Sequence, residues 1–291
     1  MLRRMSPAGR ARLGILGAAL LFSTGGAAIK ATPLTAWQVA GLRSGIAALA
    51  LVLLLPEARR GFTLRALAVA VAYAATLVLF VAGNKLTTSA ATIFLQSTAP
   101  LYVLLAGPRL LGERASRRDL LAMLPVAAGL LMVFLGAGPP GGTAPDPLRG
   151  NALAALAGVA WAATLLGLRW IGSGAAGPAT PMAAVVLGNL LAFLACAPFL
   201  LPLSAAGPRD WLAVGYLGVF QIGAAYALLT RAVRHLRALE VSLLVLAEPA
   251  LNPLWAWLAH GEDPGPWTVA GGALILGATA LRSWMEARRA G

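Results

Sequence analysis

Apolar residues run through this chain in long stretches, at residues 13–29, 34–55, 66–83, 90–111, 120–137, 151–168, 181–201, 211–229, 238–259 and 266–281. Each is close to the ~20 residues that a helix needs to cross ~30 Å of hydrocarbon. Lipid offers no partner to a free backbone N–H or C=O, so such runs cross as helices, which satisfy their own backbone. Composition agrees. Of the residues, 59% are hydrophobic and 11% charged, whereas a water-facing surface takes roughly 25% charged residues. The expected fold is an all-α integral membrane protein with ten transmembrane helices.

The net charge of +13 would suit a nucleic-acid partner, but its distribution argues against one. With the N-terminus in the cytoplasm, 18 of the 23 basic residues fall at the two termini or in the even-numbered loops. Lysine and arginine gathered on one side mark membrane topology. The reading is therefore a multi-pass protein of the cell (inner or plasma) membrane, with both termini cytoplasmic and the lipid bilayer, not nucleic acid, as partner. Arginines precede the first run, as in a signal peptide, but removing it would break an internal repeat of the chain, so it reads as a retained helix. Cys196, the one cysteine, lies within a span and reads as a packing residue.

The stretch "GAGPPGGTAPDPL" (136–148) is the natural linker, taken as residues 139–148 between a first repeat (1–138) and a second (149–291) of five spans each. Its GxGxxG match at Gly136, Gly138 and Gly141 lacks the strand and helix of a dinucleotide site and is a chance match. The halves are related. "LQSTAPLYVLLAGPRLLGE" (95–113) aligns without a gap on "LVLAEPALNPLWAWLAHGE" (244–262) at an offset of 149, pairing Pro100 with Pro249 and Gly112-Glu113 with Gly261-Glu262. A fainter echo runs from Phe22 to Lys30 and from Trp161 to Arg169. Five spans per half turn the second copy upside down, the architecture of alternating-access transporters.

These features resemble the EamA family of the drug/metabolite transporter superfamily over essentially the whole chain. The resemblance rests on the doubled Pro…Gly-Glu block (Glu-Pro in its second copy), on "FSTGGAAIKATPL" (22–34) and on Leu42–Arg43. Within that family the chain resembles the branch of aromatic amino-acid exporters known as YddG. It departs from the family at Phe22–Ser23, where Trp-Gly is frequent. The resemblance implies export from the cytoplasm.

Two charged residues fall near the membrane midplane, Arg43 and Glu248. An ionised side chain there costs at least ~2.5–3.5 kcal/mol, so each should face a partner or a wet cavity. They could pair with one another, or stay available to a substrate. Pro100 and Pro249 each leave a carbonyl one turn earlier, near Gln96 and Val245, without its helical donor, and either could act as a hinge. Helical spacing then collects polar and aromatic stripes: Glu248, Asn252 and Trp255; Tyr73, Thr76, Phe80 and Asn84; Thr98 with Tyr102; Trp161 with Thr164. Gln221 and Asn189 are mid-span amides that could bond across helices instead. Lys85 is a snorkelling anchor or a cation at a cavity mouth, and Lys30 ends the first span. Gly41-x-x-x-Gly45 brackets Arg43 inside a close helix contact. Trp37, Trp211, Trp267 and Trp284 fit the interfacial aromatic belt.

The expected function is a secondary transporter for a small organic metabolite. No Walker A sequence is present. His235 and His260 fall on opposite sides and the acids do not cluster, so neither an enzyme nor a metal or other cofactor is expected. The candidate substrate-binding residues are Arg43, Tyr73, Thr76, Phe80, Asn84, Lys85, Gln96, Tyr102, Trp161, Gln221, Glu248 and Asn252. They suit an aromatic or hydrophobic amino acid: Arg43 for the carboxylate, Glu248 or Asn252 for the ammonium, and Trp161, Tyr73 or Tyr102 for the side chain. The alternative is efflux of lipophilic cations, with Glu248 as counter-charge and the aromatics adding cation–π attraction. Nucleotide-sugar or phosphate-sugar exchange ranks third, because it would want several midplane cations and only Arg43 is there.

Overall fold

A computed structural model describes residues 6–113, 117–135, 144–175, 177–203, 206–260 and 265–287. Residues 136–143 of the Gly/Pro-rich stretch, with its glycine match, and Glu262 lie outside them. Helices start where the sequence places a cap. Ser6, Thr63, Thr88, Asp146 and Thr180 each accept a backbone N–H three residues on, and Thr35 forms a reciprocal box with Gln38. These oxygens occupy donors that a helix start otherwise leaves free. The first segment is α1 (Pro7–Ser23) followed by α2 (Gly25–Lys30). Then come α3 (Ala36–Leu54), α4 (Leu64–Leu86), α5 (Ser89–Gln96), α6 (Ala99–Leu111) and α7 (Arg117–Leu135). The second half holds α8 (Pro147–Gly172), α9 (Pro181–Cys196) and α10 (Pro208–Tyr216). After α10 comes a π-helical stretch (Leu217–Ala224), then α11 (Ala225–Ala232), α12 (Ala238–Val245), α13 (Ala247–His260) and α14 (Gly265–Ala287). Because α8 begins at Pro147 behind Asp146, the end of the expected linker is already helical.

Among the described residues eight helical segments are long and apolar enough to cross a membrane; they correspond to eight of the ten expected runs. The other two runs form α7 and α14, which pack on each other. Contacts follow a two-fold scheme. α4 packs on α8 as α11 packs on α1, and α4 on α9 as the π stretch packs on α3. α5 and α6 lie on α8 as α12 and α13 lie on α1, while α3·α9 and α7·α14 are their own counterparts. The halves are thus interlocked, and the core runs through both. At Gly41 and Gly45 a Cβ would stand 2.8 Å from Cys196 and 2.9 Å from Phe193, so α3 meets α9 at a distance only glycine allows.

Three segments are broken, and each break has a local cause. α5 ends at Gln96, the carbonyl left without a helical donor by Pro100. Across the gap the Ser97 and Thr98 hydroxyls donate to the carbonyls of Ile93 (2.6 Å) and Leu95 (2.7 Å). α12 ends at Val245, which Pro249 leaves in the same state, and α13 begins after Leu246. α1 stops at Thr24, whose hydroxyl donates to Leu21 O at 2.7 Å. Non-helical backbone at such depth is tolerated where it is buried in protein or lines a cavity.

The two ends of the bundle close differently. At one end Arg12 pairs with Glu240 (2.8 Å), Arg169 with Glu113 (2.7 Å) and Arg231 with Glu57 (3.0 Å). Glu113 comes after Gly112, which ends α6 at φ +67°, and its other oxygen accepts Ala238 N at 2.9 Å, capping α12. At the opposite end several of the described contacts are to carbonyls. Lys30 donates to Thr87 O (3.0 Å), Lys85 to Thr32 O (2.7 Å), and Gln38 to Leu200 O and Pro202 O.

Candidate functional site

The three helix breaks and the π stretch each send a residue to one cavity with about 390 Å³ of empty space, part of it open to the outside. Phe22 reaches it from the end of α1, Gln96 as the last residue of α5, and Glu248 as the second residue of α13. Gln221 and Ile222 come from the π stretch and Tyr226 from α11. The straight helices supply Arg43 (α3), Thr76, Leu77 and Phe80 (α4) and Trp161 (α8).

Arg43 is 1% exposed. Its Nη2 donates to Leu77 O at 3.1 Å and its Nη1 to Gln221 Oε1 at 3.4 Å, while Nε has no partner. Glu248, half-buried, lines the same cavity. No hydrogen bond or ion pair holds it among the described residues, and it is not paired with Arg43. A basic and an acidic side chain therefore line one cavity without bonding to each other. Three aromatic rings line the same cavity and touch one another: Phe22 meets Trp161 edge-on at 6.3 Å and Tyr226 at 5.1 Å, and Trp161 meets Tyr226 at 6.2 Å. Thr76 shares a hydroxyl contact with Thr164 (3.2 Å) beside them.

Seven of the expected residues are brought together here: Arg43, Thr76, Phe80, Gln96, Trp161, Gln221 and Glu248. The structure places the other five outside the lining. Tyr73 is fully buried one layer back, against Tyr226 (4.5 Å), and accepts from Asn189 Nδ2 at 3.2 Å. Asn84 turns to Ser89. Lys85 is drawn to Thr32 O. Asn252 donates to Ser23 O at 2.9 Å while Trp255 donates to the Ser23 hydroxyl at 2.7 Å, so this pair ties α13 to the break in α1. Tyr102 is exposed on α6.

Four lining residues are not anticipated by the sequence: Phe22, Leu77, Ile222 and Tyr226. The echo that equates Phe22 with Trp161 carries the signal for the first, since both rings enter the cavity. Tyr226 lies five residues after Gln221, which a 3.6-residue period puts on different faces; a π turn puts them on one. Leu77 and Ile222 look like any apolar membrane residue. Trp37, Trp211 and Trp267 are exposed, as belt residues should be, and Cys196 is buried and free.

The sequence model of the EamA-like transporter family matches this chain twice, over residues 10–135 and 148–284. A solved crystal structure, titled only as that of a protein, is similar over 97% of this chain and 99% of that one, with 22% identity and a TM-score of 0.74. At that identity the likeness shows the fold alone. No curated protein matches the chain.

Proposed function

The chain belongs to the EamA-like transporter family, membrane transporters of small molecules, and from that premise we propose that it exports aromatic or hydrophobic amino acids across the cell membrane. In this reading ten spans form two inverted repeats with both termini in the cytoplasm, alternating access rocks one repeat against the other, and Pro100 and Pro249 serve as hinges. One observation carries the substrate class: the buried Arg43, with an unpartnered Nε, shares a cavity with a Glu248 that it does not pair. A ligand with both a carboxylate and an ammonium answers both charges at once, the carboxylate through charge-assisted hydrogen bonds. The rings of Phe22, Trp161 and Tyr226 then receive its side chain. The same cage beside an unpaired carboxylate supports a second reading, efflux of a lipophilic cation held by cation–π attraction.

Counterflow of labelled phenylalanine in proteoliposomes separates the two. Exchange by the wild type that Arg43→Ala abolishes, in protein that still elutes as a folded species, supports the amino-acid reading. Exchange that survives Arg43→Ala removes Arg43 from substrate recognition. Accumulation of a labelled quaternary ammonium, with no exchange of any amino acid, replaces the first reading by the second.

A further inference from the structure

A second cavity lies away from the transport site, at the end of the bundle closed by ion pairs. It is a groove with about 740 Å³ of empty space between the start of α1 and the end of α11. Pro7, Ala11, Gly14, Leu228 and Ala232 give it apolar lining, and Arg10, Arg231 and His235 line it too. Glycine opens the wall: a Cβ at Gly14 would meet only Leu228 O, at 3.8 Å, so any larger side chain would enter the groove. Arg231 gives Nε and Nη2 to Glu57 Oε1 and keeps Nη1 free of that pair. The Arg10 guanidinium is exposed and makes no hydrogen bond or ion pair among the described residues.

We propose that this groove binds an anionic phospholipid of the adjoining leaflet, its phosphate between Arg10 and Arg231 and its first acyl carbons along Gly14 and Leu228. Guanidinium groups match phosphate oxygens with paired donors, and basic pockets between membrane helices are a general means of holding anionic headgroups. A free anion would use the arginines alone and leave the apolar wall bare. A zwitterionic lipid would set its own cation beside Arg10. Because α1 also carries Phe22 and α11 carries Tyr226 to the transport cavity, the lipid braces two of the helices that form it.

The test uses the full chain in detergent, with bound lipid counted by native mass spectrometry. Dioleoyl phosphatidylglycerol, dioleoyl phosphatidylcholine and inorganic phosphate are added in separate arms. The wild type is expected to retain phosphatidylglycerol in preference to phosphatidylcholine. Arg10→Gln should weaken that retention by about fivefold, the worth of one basic residue near an anionic surface, and Gly14→Leu should abolish it by filling the groove. Arg10→Gln removes no hydrogen bond or ion pair among the described residues and so decides the matter alone if Gly14→Leu does not fold. Equal retention of the two lipids overturns the proposal, as does wild-type retention by both variants. Displacement of the lipid by phosphate at matched concentration reassigns the groove to a soluble anion.

Discussion

The breaks after Gln96 and after Val245 stand at matching places in the two repeats, and each precedes a proline, Pro100 or Pro249. What they deliver differs. The first brings a neutral amide, Gln96, to the cavity; the second brings a carboxylate, Glu248. The helices beyond the breaks differ too. After the first, α6 turns Leu101, Tyr102 and Leu105 outward. After the second, α13 is fastened to the broken end of α1 through Asn252 and Trp255. The repeat thus passes on a backbone irregularity, because proline chemistry fixes it in both copies. Side chains around that irregularity have diverged, and one arm carries the charge while the other forms a neutral wall.

The severest way to break the comparison is to give both arms an amide. Glu248→Gln is expected to lower phenylalanine counterflow by about 10- to 100-fold, the worth of a hydrogen bond to a charged group, and Gln96→Leu by about fivefold, as for a neutral one. Equal losses would mean that charge does not distinguish the arms. A smaller effect concerns stability. Asn252→Leu strips a buried partner from Ser23 O and should cost about 1–3 kcal/mol, read as a lower Tm in detergent. Tyr102→Leu, on the matching but exposed arm, should stay within about 0.5 kcal/mol. Smallest of all is the effect of the prolines on stability. Both sit in the first turn of their helix, where a missing N–H is tolerated, so Pro100→Ala and Pro249→Ala should each change stability by less than about 1 kcal/mol. Transport rates sharpen the point: equal slowing by both substitutions fits paired hinges, and slowing by one alone restricts the hinge to its arm.

Much of the site is legible in the sequence because it rests on straight helices. Arg43, Thr76, Phe80 and Trp161 come from depth and a 3.6-residue period, which α3, α4 and α8 keep. Legibility ends where the backbone leaves that period. Tyr226 escapes because the π stretch adds a residue to the turn, and Tyr102 is drawn in because a helix restarted after Thr98 no longer presents the face of the one before it. Asn84, Lys85 and Asn252 show a different limit. Their depth and polarity suit a cavity, but each has a nearer partner, Ser89, Thr32 O or Ser23 O, that no spacing rule displays. The spans themselves are legible from length and apolarity, and among the described residues eight segments carry those properties.

The contrast between the two ends gives the molecule a sensitivity of its own. Among the described residues one end carries three carboxylate–guanidinium pairs, of which Arg231–Glu57 is the most exposed, and the other carries Lys30, Lys85 and Gln38 donating to carbonyls. Dissolved ions screen exposed opposite charges much more than hydrogen bonds to backbone dipoles. Raising the ionic strength should therefore weaken the exposed Arg231–Glu57 pair more than the contacts of Lys85 and Gln38 to backbone carbonyls, so salt acts on the two ends of the bundle unequally.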